Sequence, residues 1–100
     1  MLQIVRNLEP QQWLNAEVMI NELDEAGQII FVHKGKIGVG YELNKIKKVV
    51  AQFINKCVIG SFYVTFKKRS NFLYITIGEV DTCFIRRHIW IQIIDECENI

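Results

Sequence analysis

The chain has 100 residues, 50% of them hydrophobic, with 12 Lys+Arg against 11 Asp+Glu and a formal net charge of +1. That length fits one small domain with a real core, and near-neutrality excludes a global field that would draw the chain to nucleic acid or an acidic membrane surface. Cys57, Cys83 and Cys97 form no Cys-x-x-Cys pair, and their odd number argues against a secreted disulfide framework, so a reducing compartment is expected.

Met1 to Arg6 lacks the long apolar core of a signal peptide, and no apolar run approaches the ~18 residues of a membrane span. The chain itself is therefore expected to be soluble and not to insert directly into a membrane.

In chain order, Leu2 to Leu8 reads as the end of a helix, closed by Pro10, whose ring fixes φ and forces the preceding residue extended. From there to about Ile85 the pattern favours strands. Val18-Met19-Ile20 is bounded by polar turns, Gln28 to His33 follows, and Lys34-Gly35 reads as a hairpin turn. Lys36 to Leu43 alternates at period two, placing Ile37, Val39, Tyr41 and Leu43 on one face. Asn44-Lys45 is the next turn, Val49 to Ile54 another strand, and Phe72 to Ile77 and Val80 to Ile85 two more, separated by Gly78.

From Arg87 to Cys97 the period changes. Trp90, Ile93, Ile94 and Cys97 fall three and four apart, so a helix can pack this stripe on a sheet while Gln92 and Glu96 face water. The expected architecture is mainly β with flanking helices: a double-stranded antiparallel β-roll, jelly-roll-like, followed by a C-terminal amphipathic helix. No repeat or linker divides it, so residues 1–100 read as a single domain.

The stretch Cys57 to Phe72 joins two apolar segments through Gly60 and ends in the densest basic run, Lys67-Lys68-Arg69, followed by Ser70. A backbone that turns tightly at Gly60, with free N–H groups and a nearby guanidinium, can cradle a phosphate.

The order Leu8-Glu9-Pro10, Trp13, Glu17 to Ile20, Gly27 to Val32, Lys34 to Ile37, Ile59-Gly60, Arg69-Ser70 and a closing amphipathic helix resembles the β-roll of cyclic nucleotide-binding domains. Asn21 to Glu25, Val39 to Glu42 and Phe84 to Arg87 with Trp90 look closest to the cytoplasmic domains of cyclic-nucleotide-gated-type and voltage-gated potassium channels. The resemblance implies a non-catalytic regulatory domain behind a pore and helical linker, cut before a lid helix. Its partners would be the rest of the channel chain and sister subunits, at the cytoplasmic face of a membrane.

The resemblance also implies a possible ligand, cyclic AMP or cyclic GMP, and no cofactor. In the family a Gly-Glu pair opens a phosphate cassette, the Glu taking the ribose hydroxyl, and an Arg followed by Thr, Ser or Ala closes it, the Arg pairing with the cyclic phosphate. Gly60 matches the Gly, Arg69 and Ser70 match the closing pair, and Ser61 stands in place of the Glu. The ligand-binding set is therefore Gly60, Ser61, Phe62, Arg69 and Ser70. Bulky Phe62, Tyr63 and Phe66 leave a pocket filled by the chain's own side chains as an open alternative.

Two readings of different class follow: a channel's homology domain with a degenerate cassette, or a true cyclic AMP or cyclic GMP sensor. A cupin-like enzyme is a weaker third, because His33 and His88 do not form the clustered His-x-His such a metal site needs. The remaining features have plain structural readings. Lys67 to Arg69 is a solvated turn, Cys57 a small buried residue, Glu22 to Glu25 a surface acidic turn, and Trp13 and Trp90 core anchors.

Overall fold

The computed structural model describes residues 6–98, so most of the expected Leu2–Leu8 helix lies outside the described residues. The elements are β1 (Glu9–Trp13), β2 (Val18–Ile20), β3 (Gln28–Leu43), β4 (Ile46–Ile54), β5 (Cys57–Ile59), α1 (Ser61–Thr65), β6 (Leu73–Arg86) and α2 (Arg87–Glu98). The fold is a mainly antiparallel β-roll with a C-terminal helix.

Two long strands form its spine. β3 and β6 pair antiparallel from Gln28 opposite Arg86 to Gly40 opposite Leu73. The free edge of β3 carries β5 and then β4, and that of β6 carries β1 and then β2. Along a single transverse line the whole ribbon bends. The β3–β6 register shifts between Val32 and Lys36, Gly78 takes φ +77°, and Ala16, Asn55 and Lys56 all take positive φ where the edge strands break.

Asparagine side chains fasten that line on both edges. Asn55 Oδ1 accepts the Gly35 N–H at 3.0 Å, while Gly35 O accepts the Asn55 N–H at 2.8 Å. On the other edge Asn15 Oδ1 accepts the Gly78 N–H at 2.7 Å. Buried Thr76 adds a second tie there, donating to Leu14 O and accepting from the Glu17 N–H. Backbone groups that the bend removes from the ladder are thus paired again by protein partners.

Folding at the bend brings both halves of the spine into one core. Ile37 and Ile20 come from one half, and Ile30, Val32, Val80, Ile85 and Trp13 from the other. The consecutive Ile29 and Ile30 are both fully buried, so β3 is covered on both faces there, and Ile89, Trp90 and Ile93 of α2 pack against the cluster. The expected terminal helix is present, with Gln92 and Glu96 exposed. Trp13 is buried and donates its indole N–H to Thr82 Oγ1 at 3.1 Å.

Five local expectations are corrected. Lys34-Gly35 is no hairpin turn: it lies inside β3, at the bulge that makes the bend, because β6 continues alongside it. Gly78 bends one strand and does not separate two. β4 begins at Ile46, directly after the Asn44-Lys45 turn, whose residues both adopt positive φ. Pro10 sits within β1, which tolerates it because β1 pairs only with β6 and has a free edge. On the half-buried face, Ile37 and Val39 are buried while Tyr41 and Leu43 are exposed, since β3 and β4 run past the end of the core.

Gly35 tests the bend directly. Its φ is +126°, and an added Cβ would meet Val80 Cγ2 at 2.8 Å and Glu79 O at 2.9 Å. Gly35→Ala should cost about 2–4 kcal/mol from strain and overpacking together. Gly27→Ala, which meets nothing within 4 Å, should stay within about 1 kcal/mol. Urea unfolding midpoints measure both, and equal losses would contradict the bend's reliance on Gly35.

Candidate functional site

The stretch singled out in the sequence begins where β5 ends. Gly60 takes φ +89° and ends the strand, and Gly60 O accepts the Val64 N–H at 3.0 Å to open α1. A Cβ here would lie 3.0 Å from Gln28 O and 3.5 Å from Ile20 Cδ1, so both conformation and space require glycine. α1 was not foreseen in the sequence; its five residues, Ser61 to Thr65, are anchored by one buried side chain, Val64.

The helix closes with a Schellman arrangement. The Lys68 N–H bonds Tyr63 O at 2.8 Å, the Lys67 N–H bonds Val64 O at 3.4 Å, and Lys67 holds the left-handed position at φ +55°. Lysine is strained where glycine is usual. Lys67→Gly should therefore stabilise the domain by about 0.5–1 kcal/mol in urea unfolding, the gain being reduced by glycine's freedom in the unfolded chain. A destabilised variant would show that this cap is not the conformation adopted.

Both ends of the cassette rest on one segment, Ile20 to Gln28. Gly60 packs against Ile20, Ala26 and Gln28. At the far end the Ser70 N–H bonds Asp24 O at 3.0 Å, the Leu23 N–H bonds Ser70 O at 2.7 Å, and Arg69 pairs with Glu25 as an isolated bridge. The Arg69 guanidinium is exposed and donates to Leu23 O at 3.0 Å; among the described residues it forms no ion pair. Glu25 instead pairs with Arg87 at the start of α2, at 2.8 Å. That hydrogen bond, then the Arg87 charge, and more weakly the Arg69 charge, hold the Glu25 carboxyl below its ordinary range.

The predicted site residues divide by role. Gly60 shapes the turn and Ser61 is the half-buried first residue of α1, while Phe62 is 57% exposed. Ser70 is fully buried; its hydroxyl donates to Phe72 O at 2.6 Å and accepts the Phe72 N–H, so it serves the turn into β6. The crowding aromatics do not all point inward. Phe62 and Phe66 contact one another as a tilted pair with centroids 5.1 Å apart and are both largely exposed. Only Tyr63 turns toward the sheet, its hydroxyl 3.5 Å from that of Tyr74. Burial, reinforced by the Tyr63 hydrogen bond and charge, pushes the Tyr74 hydroxyl far above its ordinary range.

A contact that sequence reasoning missed joins the cassette to the last helix. Trp90 Nε1 donates to Thr65 Oγ1 at 3.0 Å. The apolar spacing of α2 marks Trp90, but nothing in the sequence marks Thr65 as its partner. Beside this bond, a hollow lies between Thr65, Phe66 and Lys67 on one side and Ile91, Ile94 and Asp95 on the other.

Chemically, the cassette offers a turn with first-turn helix N–H groups lacking intrahelical partners, and a closing guanidinium whose other donors are not engaged by a carboxylate. It offers no carboxylate at position 61. Among the described residues no group of three or more His, Cys, Asp or Glu side chains is placed to hold a metal ion.

No family model and no curated protein matches the chain. Solved structures do. The regulatory domain of Toxoplasma gondii PKA with cAMP superposes at TM-score 0.79 with 11% identity, over 89% of this chain and 34% of that one. The regulatory subunit of a cAMP-independent protein kinase A from Trypanosoma cruzi bound to guanosine gives 0.77 with 19% identity, over 89% and 32%. The chain carries the fold of cyclic nucleotide-binding domains. It spans about a third of the length of these structures. The same fold also occurs inside an enzyme, the EAL enzyme Bd1971 in its cAMP-bound form, at TM-score 0.74, 8% identity, and over 87% of this chain and 24% of that one.

Proposed function

We propose that this chain is a non-catalytic regulatory domain of the cyclic nucleotide-binding type whose cassette keeps its phosphate-binding shape but has lost its ribose-binding carboxylate. The observation that carries the reading is the pairing of a required left-handed turn at Gly60 and an exposed Arg69 with a serine, Ser61, at the start of α1. A carboxylate accepts charge-assisted hydrogen bonds from a ribose; a serine hydroxyl is a shorter and weaker acceptor. Losing such a bond costs about 1.5–3 kcal/mol, or roughly ten- to a hundred-fold in affinity.

The specific setting we propose is the cytoplasmic side of a cation channel, of potassium-channel type. Its support is the sequence resemblance at Asn21 to Glu25, Val39 to Glu42 and Phe84 to Arg87 with Trp90. Partners would then be the remaining channel chain and sister subunits. Such a domain acts by linkage: whatever occupies the cassette side shifts gating only by its different affinity for the two channel states. Arg69 favours the second reading, a true cyclic AMP or cyclic GMP sensor, because its guanidinium is not consumed by an ion pair. A solved structure of similar fold is described as bound to guanosine, a nucleoside without phosphate.

Calorimetry with cyclic AMP and cyclic GMP separates these readings. The wild-type chain should give no saturable heat at tens of micromolar nucleotide. Ser61→Glu should tighten binding about ten- to a hundred-fold, and Arg69→Ala added to it should remove the gain. Low-micromolar binding by the wild type, lost in Arg69→Ala, would overturn the degenerate-cassette reading in favour of the sensor.

A further inference from the structure

β3 and β6 face one another with Phe31 opposite Cys83, Val32 opposite Thr82 and Lys34 opposite Asp81, and the register skips His33. Val32 and Thr82 are buried in the core, so strand alternation places Phe31, Cys83 and Asp81 on the opposite face, where Ile29 and Ile85 are fully buried, Phe31 and Cys83 half-buried and Asp81 exposed. The bulge turns His33 onto that same face, with Nε2 3.1 Å from Cys83 Sγ. β1 closes the third side, Pro10 lying opposite Cys83 and Gln12 opposite Asp81. Together Pro10, Gln12, His33, Asp81 and Cys83 line an open hollow of about 360 Å³.

We propose that Cys83 and His33 form a reactive thiol site, independent of the cassette, that accepts a small aliphatic disulfide and is modified to a mixed disulfide. A thiol needs three things for this: a base in contact, access, and room for the incoming group. Cys83 has all three, being half-exposed beside an exposed imidazole at the floor of a hollow. Cys57 is the internal contrast. It is similarly half-buried but has no base beside it among the described residues, and burial pushes its thiol up.

The disulfide is itself the two-electron oxidant. His33 takes the Cys83 proton, and Sγ attacks one sulfur of the disulfide. The new S–S bond forms as the reagent's own bond breaks, and the departing thiolate takes the proton from His33. Cys83 is oxidised to the mixed disulfide, and the other half of the reagent is reduced to a thiol. Asp81 lines the hollow and Lys34 lies opposite it in the register, so the two charges offset one another and the hollow sets no charge preference among disulfides.

Peptide-resolved mass spectrometry of the whole chain with cystamine, and in parallel with glutathione disulfide, tests the site. Cys83 should be modified at least ~10-fold faster than Cys57 by either reagent. His33→Gln should slow Cys83 by about 10-fold or more while leaving the Cys57 rate unchanged, which also reports that the variant is folded. A second arm needs no substitution: unfolding the wild-type chain in urea separates Cys83 from His33 and should bring the two rates together. Cys57 reacting as fast as Cys83 in the folded chain, an unaltered Cys83 rate in His33→Gln, or a rate ratio that survives unfolding would each overturn the proposal.

Discussion

The β3–β6 pairing, bent once across its middle, is the constraint on which the rest of the domain depends. A flat ribbon of this length would leave one face of Ile37 and Ile30 in water. Bending it at Gly35 and Gly78 turns both halves inward on one core, and Asn55 and Asn15 re-pair the backbone groups that the bend takes from the ladder. Burial supplies the driving force, and the asparagine ties fix where the fold line falls. Because β5 and β2 end beside that core, Gly60 and the Ile20–Gln28 segment are brought together, and the cassette is built on the seam between them.

That placement makes the cassette a joint between elements and gives it three attachments. Its two ends rest on Ile20 to Gln28, and its helix reaches α2 through Thr65 and Trp90. The same segment holds α2 independently through Glu25 and Arg87. A ligand that displaced Arg69 from Leu23 O would therefore act on a segment that also carries the first turn of α2. This gives a short physical route from the cassette to the helix.

Much of the architecture is legible in the residues because it is written in period and turn chemistry. Alternation at Ile37 and Val39, the Asn44-Lys45 turn and the three-four spacing of Trp90, Ile93 and Ile94 each report a local rule that the fold obeys. The failures share one cause. Lys34-Gly35 and Gly78 carry turn residues, yet the chain runs on through them, because a bulge in a paired strand uses the same residues as a hairpin and only the partner strand decides between them. Pro10 in β1 and the helix at Ser61 to Thr65 are likewise set by long-range partners, β6 and the core around Val64. At the site, Gly60 and Arg69 were legible as a turn and a cation. The diversion of Ser70 into the Phe72 turn and the outward pairing of Phe62 with Phe66 were not, since neither has a sequence signature.

In the proposed reading the cassette retains the shape for a phosphate but not the partner for a ribose. Amide NMR of the wild-type chain titrated with cyclic AMP into the millimolar range reads this most directly. Progressive shifts at the Gly60, Ser61 and Arg69 amides that remain unsaturated through the micromolar range are the predicted result. Saturation at low micromolar nucleotide, or no movement of these three amides at millimolar nucleotide, would contradict it.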